Sequence, residues 1–134
     1  MFSLHPRLAA DTVSVTDWPL CRVLLMNESA YPWLILVPRQ AGAVELTDLA
    51  PADRAAAMEE VARASLALRT LFSPDRINVG ALGNMVPQLH IHVIARFATD
   101  AAWPKPVWGA APATAYEPEA REHRLAQLRA VLCC

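Results

Sequence analysis

The run Gln88-Leu89-His90-Ile91-His92-Val93-Ile94 constrains this chain more than any other, because polar and bulky apolar side chains alternate along it. Successive side chains of a β-strand leave on opposite faces, so Gln88, His90 and His92 share one face and Leu89, Ile91 and Val93 the other. Neighbouring polar groups then stand roughly 6 to 7 Å apart. The apolar face needs a layer packed behind it, so the run is at once a piece of core and a candidate site.

Around this run the sequence supplies four more strands. Thr12 to Thr16 alternates and is β-branched, which predicts an edge strand ending at Asp17-Trp18-Pro19. Cys21 to Met26 and Trp33 to Val37 are apolar runs joined by a short polar connection that starts at Asn27, the pattern of a hairpin at the centre of a sheet. Arg76 to Gly83 reads as a strand closing in a glycine-punctuated turn. Two segments change period. Leu46 to Ala50 leads into Pro51 and Asp53, the start of a long helix reaching Phe72. Met58, Val61, Ser65, Leu68 and Phe72 recur on it at the spacing of a buried stripe, widened by Ala62, Leu66 and Leu71, with Glu59 and Glu60 falling outside. Glu117 to Leu132 forms a final helix with Leu125, Leu128 and Leu132 on one face. The start through His5 and Pro6 reads as turns, and residues 97–112, with Trp103 and Trp108, as a proline-stiffened cover over a core edge. Arg39 and Arg96 each follow a strand and read as solvated ends. The expected fold is α+β, an antiparallel sheet of about five strands with one long helix and a C-terminal helix, over a single domain 1–134.

Composition closes off several functions. A chain of 134 residues with 54% apolar and 19% charged residues can bury a core by itself. A formal net charge of -1 gives no basic excess to hold a phosphate backbone, so long nucleic acid is not expected as a partner, whereas a small nucleotide is compatible. No signal peptide or membrane span is read in the sequence, and a soluble, cytoplasmic protein is expected. The three cysteines, Cys21, Cys133 and Cys134, form no disulfide framework or Cys-x-x-Cys pair, and Cys21 reads as a strand filler. The four glycines make no phosphate-binding loop.

His90 and His92 admit three readings. Imidazole titrates near ~6.5, so one ring can be neutral and nucleophilic while a protonated neighbour stabilises phosphate oxygens. The nucleophile works if its other nitrogen is held as a donor, for instance by a backbone carbonyl. Alternatively His-x-His on a strand can hold a metal, but that needs a third ligand, and the remaining histidines, His5 and His123, lie near the chain ends. The plainest alternative is two satisfied histidines on a sheet face.

Leu36-Val37-Pro38-Arg39, a Leu-Thr-Asp-Leu lead into the long helix, Asn78-Val79-Gly80 and then Gln88 to Ile94 occur in an order that resembles the histidine triad (HIT) family of nucleotide hydrolases and transferases. The similarity covers about Val23 to Arg96. It implies a HIT-like fold, a two-fold dimer, and His90 as the nucleophile that forms a nucleotidyl-histidine intermediate without a metal or cofactor. It implies His92 as the support for the reacting phosphate, and Gln88 in the place of the first triad histidine. It further implies Asn27 at the ribose hydroxyls, and Asn78 and Asn84 near the phosphate and leaving group. The resemblance departs at Gln88, at Ala41 where many members carry another histidine, and at Met85 where some carry a serine that helps protonate the leaving group. The implied activity is hydrolysis or transfer from a nucleoside phosphoramidate or a dinucleoside polyphosphate, with slow or absent turnover and plain nucleotide binding as the alternative.

Overall fold

The computed structural model describes residues 1–133, so Cys134 of the terminal pair lies outside the described residues. The element order is α1 (Pro6–Asp11), β1 (Thr12–Asp17), β2 (Cys21–Met26), β3 (Trp33–Pro38), a short 3-10 turn (Leu46–Asp48), α2 (Pro51–Phe72), β4 (Arg76–Gly80), β5 (Ile91–Arg96) and α3 (Pro118–Leu132). The five strands form one antiparallel sheet in the order β1-β2-β3-β5-β4. The fold is the α+β arrangement expected, with α1 added where turns were expected. His5 and Pro6 account for it: the His5 ring accepts from the Arg7 amide and proline occupies the first helical turn.

Every residue of β3 and β5 is buried, which requires both faces of the sheet to be covered. Alternation divides the work. Val23, Leu25, Leu34, Leu36, Ile91 and Val93 pack with α2 and α3 on one face. Leu24, Trp33, Ile35 and Ile94 belong to the other face, covered by Leu8 and by Ala102 and Val107 of the segment after β5. The second cover is the short helix α1 and loop rather than a long helix.

The buried side of α2 differs from the stripe expected. Ala57, Glu60, Val61, Ala64, Ala67 and Leu68 face the protein, while Met58 and Leu66 are more than half exposed. Apolar residues surround this helix, so the three-and-four rule admits more than one stripe, and the alanine side is the one that lets the helix approach the sheet closely. Glu60 turns inward because its carboxylate accepts from the amides of Leu20 (3.0 Å) and Cys21 (2.8 Å), binding the helix to the start of β2. Cys21 is fully buried beside it, and burial raises its thiol pKa far from the reactive range.

Arg96, expected to be solvated, is 2% exposed. Its guanidinium donates to both Asp100 oxygens (2.8 and 3.1 Å), to Asn78 Oδ1 (2.8 Å) and to the Lys105 carbonyl (2.8 Å), and lies near the Tyr31 and Trp103 rings. Asp100 also accepts from the amides of Phe97 and Trp103. One buried ion pair thus folds the segment after β5 back over the sheet. The Arg96 hydrogen bonds, with help from the two amides, hold the Asp100 carboxyl at about 2, below its usual 3.8. A lowered folded-state pKa stabilises the protein above the ordinary carboxylate value, and the contribution is lost as pH falls from 3.8 toward 2. Removing one partner of a buried pair typically costs ~3 to 5 kcal/mol, so Arg96→Ala is expected to lower the urea-denaturation stability by that amount at neutral pH. Below the Asp100 transition the gap between Arg96→Ala and wild type should shrink; a gap of equal size at pH 7 and at the acid end would contradict the assignment.

Candidate active site

The run from Gln88 to Ile94 is not one continuous strand. Pairing begins only at Ile91, Gln88 lies at a bend, and the Leu89 amide is bound by the loop carbonyl of Ala43 (3.0 Å). His90 and His92 keep to one side, with ring centroids 5.1 Å apart and planes at 70°, and each ring is less than a tenth exposed. Gln88 leaves them: its amide donates to the Ser3 carbonyl (2.8 Å) and accepts from the His5 amide (2.8 Å). The three polar groups expected on one face are therefore a pair and an outlier.

Both imidazoles have their protons placed by partners of a single kind. A carbonyl only accepts, so the 2.6 Å contact between His90 Nδ1 and the Gln88 carbonyl puts the proton on Nδ1 and leaves Nε2 with a lone pair. An indole N–H only donates, so the 3.0 Å bond from Trp33 Nε1 to His92 Nδ1 makes that nitrogen an acceptor and puts the His92 proton on Nε2. Burial, and secondarily the neighbouring His90, lower the His92 pKa to about 4, so the ring is neutral at pH 7. This corrects the expectation of a protonated second imidazole. A protonated ring would set its Nδ1–H against the indole N–H.

The pair lines a cavity of about 630 Å³, inside the ~300 to 1,000 Å³ range of small-molecule sites. It lies on the sheet face opposite α2 and α3. One wall is the N-terminal segment, through Arg7, Leu8 and Asp11; others are Glu28 after β2, the turn with Gly83, Asn84 and Met85, and the segment bearing Val107 and Trp108. Trp108 stands 5.3 Å from the His92 ring and 6.4 Å from Trp33 in edge geometry. It fits against the end of β4 because Gly80, paired with His92, has no side chain; a Cβ there would meet the Trp108 ring at 2.9 Å.

Of the polar residues implied by resemblance, His90, His92 and Asn84 line this cavity. Asn27 and Asn78 do not. Asn27 accepts from the Tyr116 amide (3.0 Å), and Asn78 is engaged by Arg96. The residue missed is Glu28, which is 6% exposed and accepts from the Thr114 amide (2.9 Å) and the Ala30 amide through Oε2. The alternation of β2 carries the signal: Leu24, Met26 and Glu28 fall on one face, and Asn27 on the other. Trp33, expected only as an apolar strand residue, also lines the cavity and donates to His92. Among the described residues no group of three or more His, Cys, Asp or Glu side chains is placed to hold a metal ion, and no helix is long and apolar enough to cross a membrane.

Comparison with known proteins places this geometry. The family profile of the HIT domain matches residues 7–99. Among solved structures, a histidine triad protein from Marinobacter aquaeolei is 46% identical with a TM-score of 0.96, covering 98% of this chain and 96% of its own. A histidine triad protein from Bradyrhizobium japonicum is 45% identical with a TM-score of 0.95, covering 98% of both chains. A third, a histidine triad (HIT) protein from Sinorhizobium meliloti, is 40% identical with a TM-score of 0.94, covering 98% of this chain and 97% of its own. No curated protein sequence gives a significant match. The profile match and the likeness over nearly the whole chain show that the chain belongs to the histidine triad family, a family of nucleotide-binding proteins and nucleotide hydrolases.

Proposed function

We propose that the protein hydrolyses or transfers a nucleoside monophosphate group through a covalent intermediate on His90. The observation that supports this most is the Nδ1–H of His90 held by the Gln88 carbonyl, which leaves Nε2 as the attacking nitrogen inside the cavity. In the first step a bond forms between Nε2 and the α-phosphorus while the bond to the leaving group breaks, the leaving group taking the electron pair. The ring gains positive charge as it does so, and the Gln88 carbonyl, 2.6 Å from Nδ1, stabilises that charge. Water then attacks phosphorus, the N–P bond breaks, and the monophosphate departs with one proton released to solvent. His92 contributes its Nε2–H as a neutral donor to a non-bridging oxygen. Trp33 positions it. Glu28 is the group we assign to ribose hydroxyls, since among the described residues no hydrogen bond is made to its Oε1. A two-fold dimer, implied by the family, belongs to the same proposal, with β4 as one of the two edge strands of the sheet.

A second reading, nucleotide binding without turnover, is favoured by Met85 at the cavity wall, whose thioether has no proton to give a leaving group. Rapid-quench mass spectrometry with a dinucleoside polyphosphate separates the two: an adduct on His90 and release of AMP are expected, both absent in His90→Ala. Persistent AMP release by His90→Ala would overturn the first reading, and nucleotide affinity without product over hours would favour the second. Trp33→Phe keeps the ring packing but removes one hydrogen bond, and kcat is expected to fall roughly threefold to tenfold, the kinetic equivalent of one such bond. An unchanged kcat would show that the indole N–H has no part in positioning His92.

A further inference from the structure

The N-terminal segment has no part in the family motif, yet it forms one wall of the cavity and is fastened there by the residue that departs from the triad. An amide presents its donor and acceptor side by side, so Gln88 can bind the Ser3 carbonyl and the His5 amide together; an imidazole directs its two nitrogens apart. Beyond that latch Leu8 is 4% exposed in the apolar cluster with Trp33 and Ile35, which fixes α1 against the sheet. Arg7, the neighbouring residue, is then the one arginine or lysine that lines the cavity among the described residues. Its guanidinium meets Asp11 at 3.6 Å, a loose pair with both side chains about half exposed, which leaves most of its donors available.

The leaving group sets what such a cation is for. Cleaving a P–N bond requires a proton on the departing nitrogen. His92 cannot supply one: its Nε2–H is the only proton of a neutral ring, and the Trp33 N–H blocks a second at Nδ1. A phosphate or polyphosphate, by contrast, departs as an anion and needs a positive group rather than a proton. Resting on the nucleotidyl-transfer reading above, we propose that Arg7 receives the anionic leaving group, that the preferred substrates are phosphoanhydrides, and that Gln88 is a positioning residue that acts by holding the Arg7 segment in place.

Calorimetric titration of the full chain with AMP and with ADP tests this without requiring turnover, since the β-phosphate of ADP occupies the leaving-group position. Wild type is expected to bind ADP more tightly than AMP. Arg7→Ala should weaken ADP binding about tenfold, as loss of a charge-assisted contact does, with AMP affinity unchanged. Gln88→Ala retains the backbone carbonyl that serves His90, and it should show the same ADP-selective loss, while the double variant loses no more than Arg7→Ala alone. In steady-state assays with diadenosine tetraphosphate the two variants should raise KM. Equal ADP affinity in wild type and Arg7→Ala, or additive losses in the double variant, would overturn the proposal while leaving nucleotide binding intact. Failure of wild type to bind AMP at all would overturn the nucleotide reading and this inference with it.

Discussion

The buried guanidinium of Arg96 is the constraint on which the site depends. A charge at 2% exposure is tolerable only when its donors are satisfied, and here Asp100, Asn78 and the Lys105 carbonyl satisfy them. Those partners belong to β4 and to the segment after β5. Meeting them therefore folds that segment over the sheet face opposite α2 and α3, and the fold delivers Val107 and Trp108 to the cavity wall. The His92 ring owes its low exposure to this cover, and from low exposure follows a neutral imidazole.

Within that enclosure the chemistry is set by two one-way partners. The Gln88 carbonyl can only accept and the Trp33 indole can only donate, so the two histidines are placed in opposite tautomers by groups that never titrate. One ring offers a lone pair and its neighbour an N–H, the two things that attack on a phosphate requires. The altered triad position fits the same logic. Gln88 performs its side-chain work on the N-terminal segment and its backbone work on His90, so an amide in place of an imidazole there leaves the orientation of the His90 ring intact.

Much of this fold is legible in the sequence. β-branched alternation marks β1, apolar runs mark β2 and β3, and Pro51 and the break at Ser73 bound α2, because these signals are local. The buried side of α2 is not legible: Met58 and Leu66 are as apolar as Val61 and Leu68, and only contact with the sheet selects the alanine face. Glu60 and Arg96 are missed for a related reason, since charged residues read as solvated until a distant partner is known. Within the site, His90, His92 and Asn84 follow from the motif order. Strand alternation puts Glu28, rather than Asn27, on the cavity side. The bond from Trp33 to His92 joins residues 59 apart in sequence and leaves no trace in either neighbourhood.

The central claim is that fixed tautomers, rather than a charged pair, equip this site. Nitrogen-15 chemical shifts of the imidazoles in the free protein, followed through acid titration, read it directly. A proton on Nδ1 of His90 and on Nε2 of His92 is expected at neutral pH, with the His92 ring gaining charge only near about 4. A His92 proton on Nδ1, or titration of that ring close to the ordinary 6.5, would contradict it.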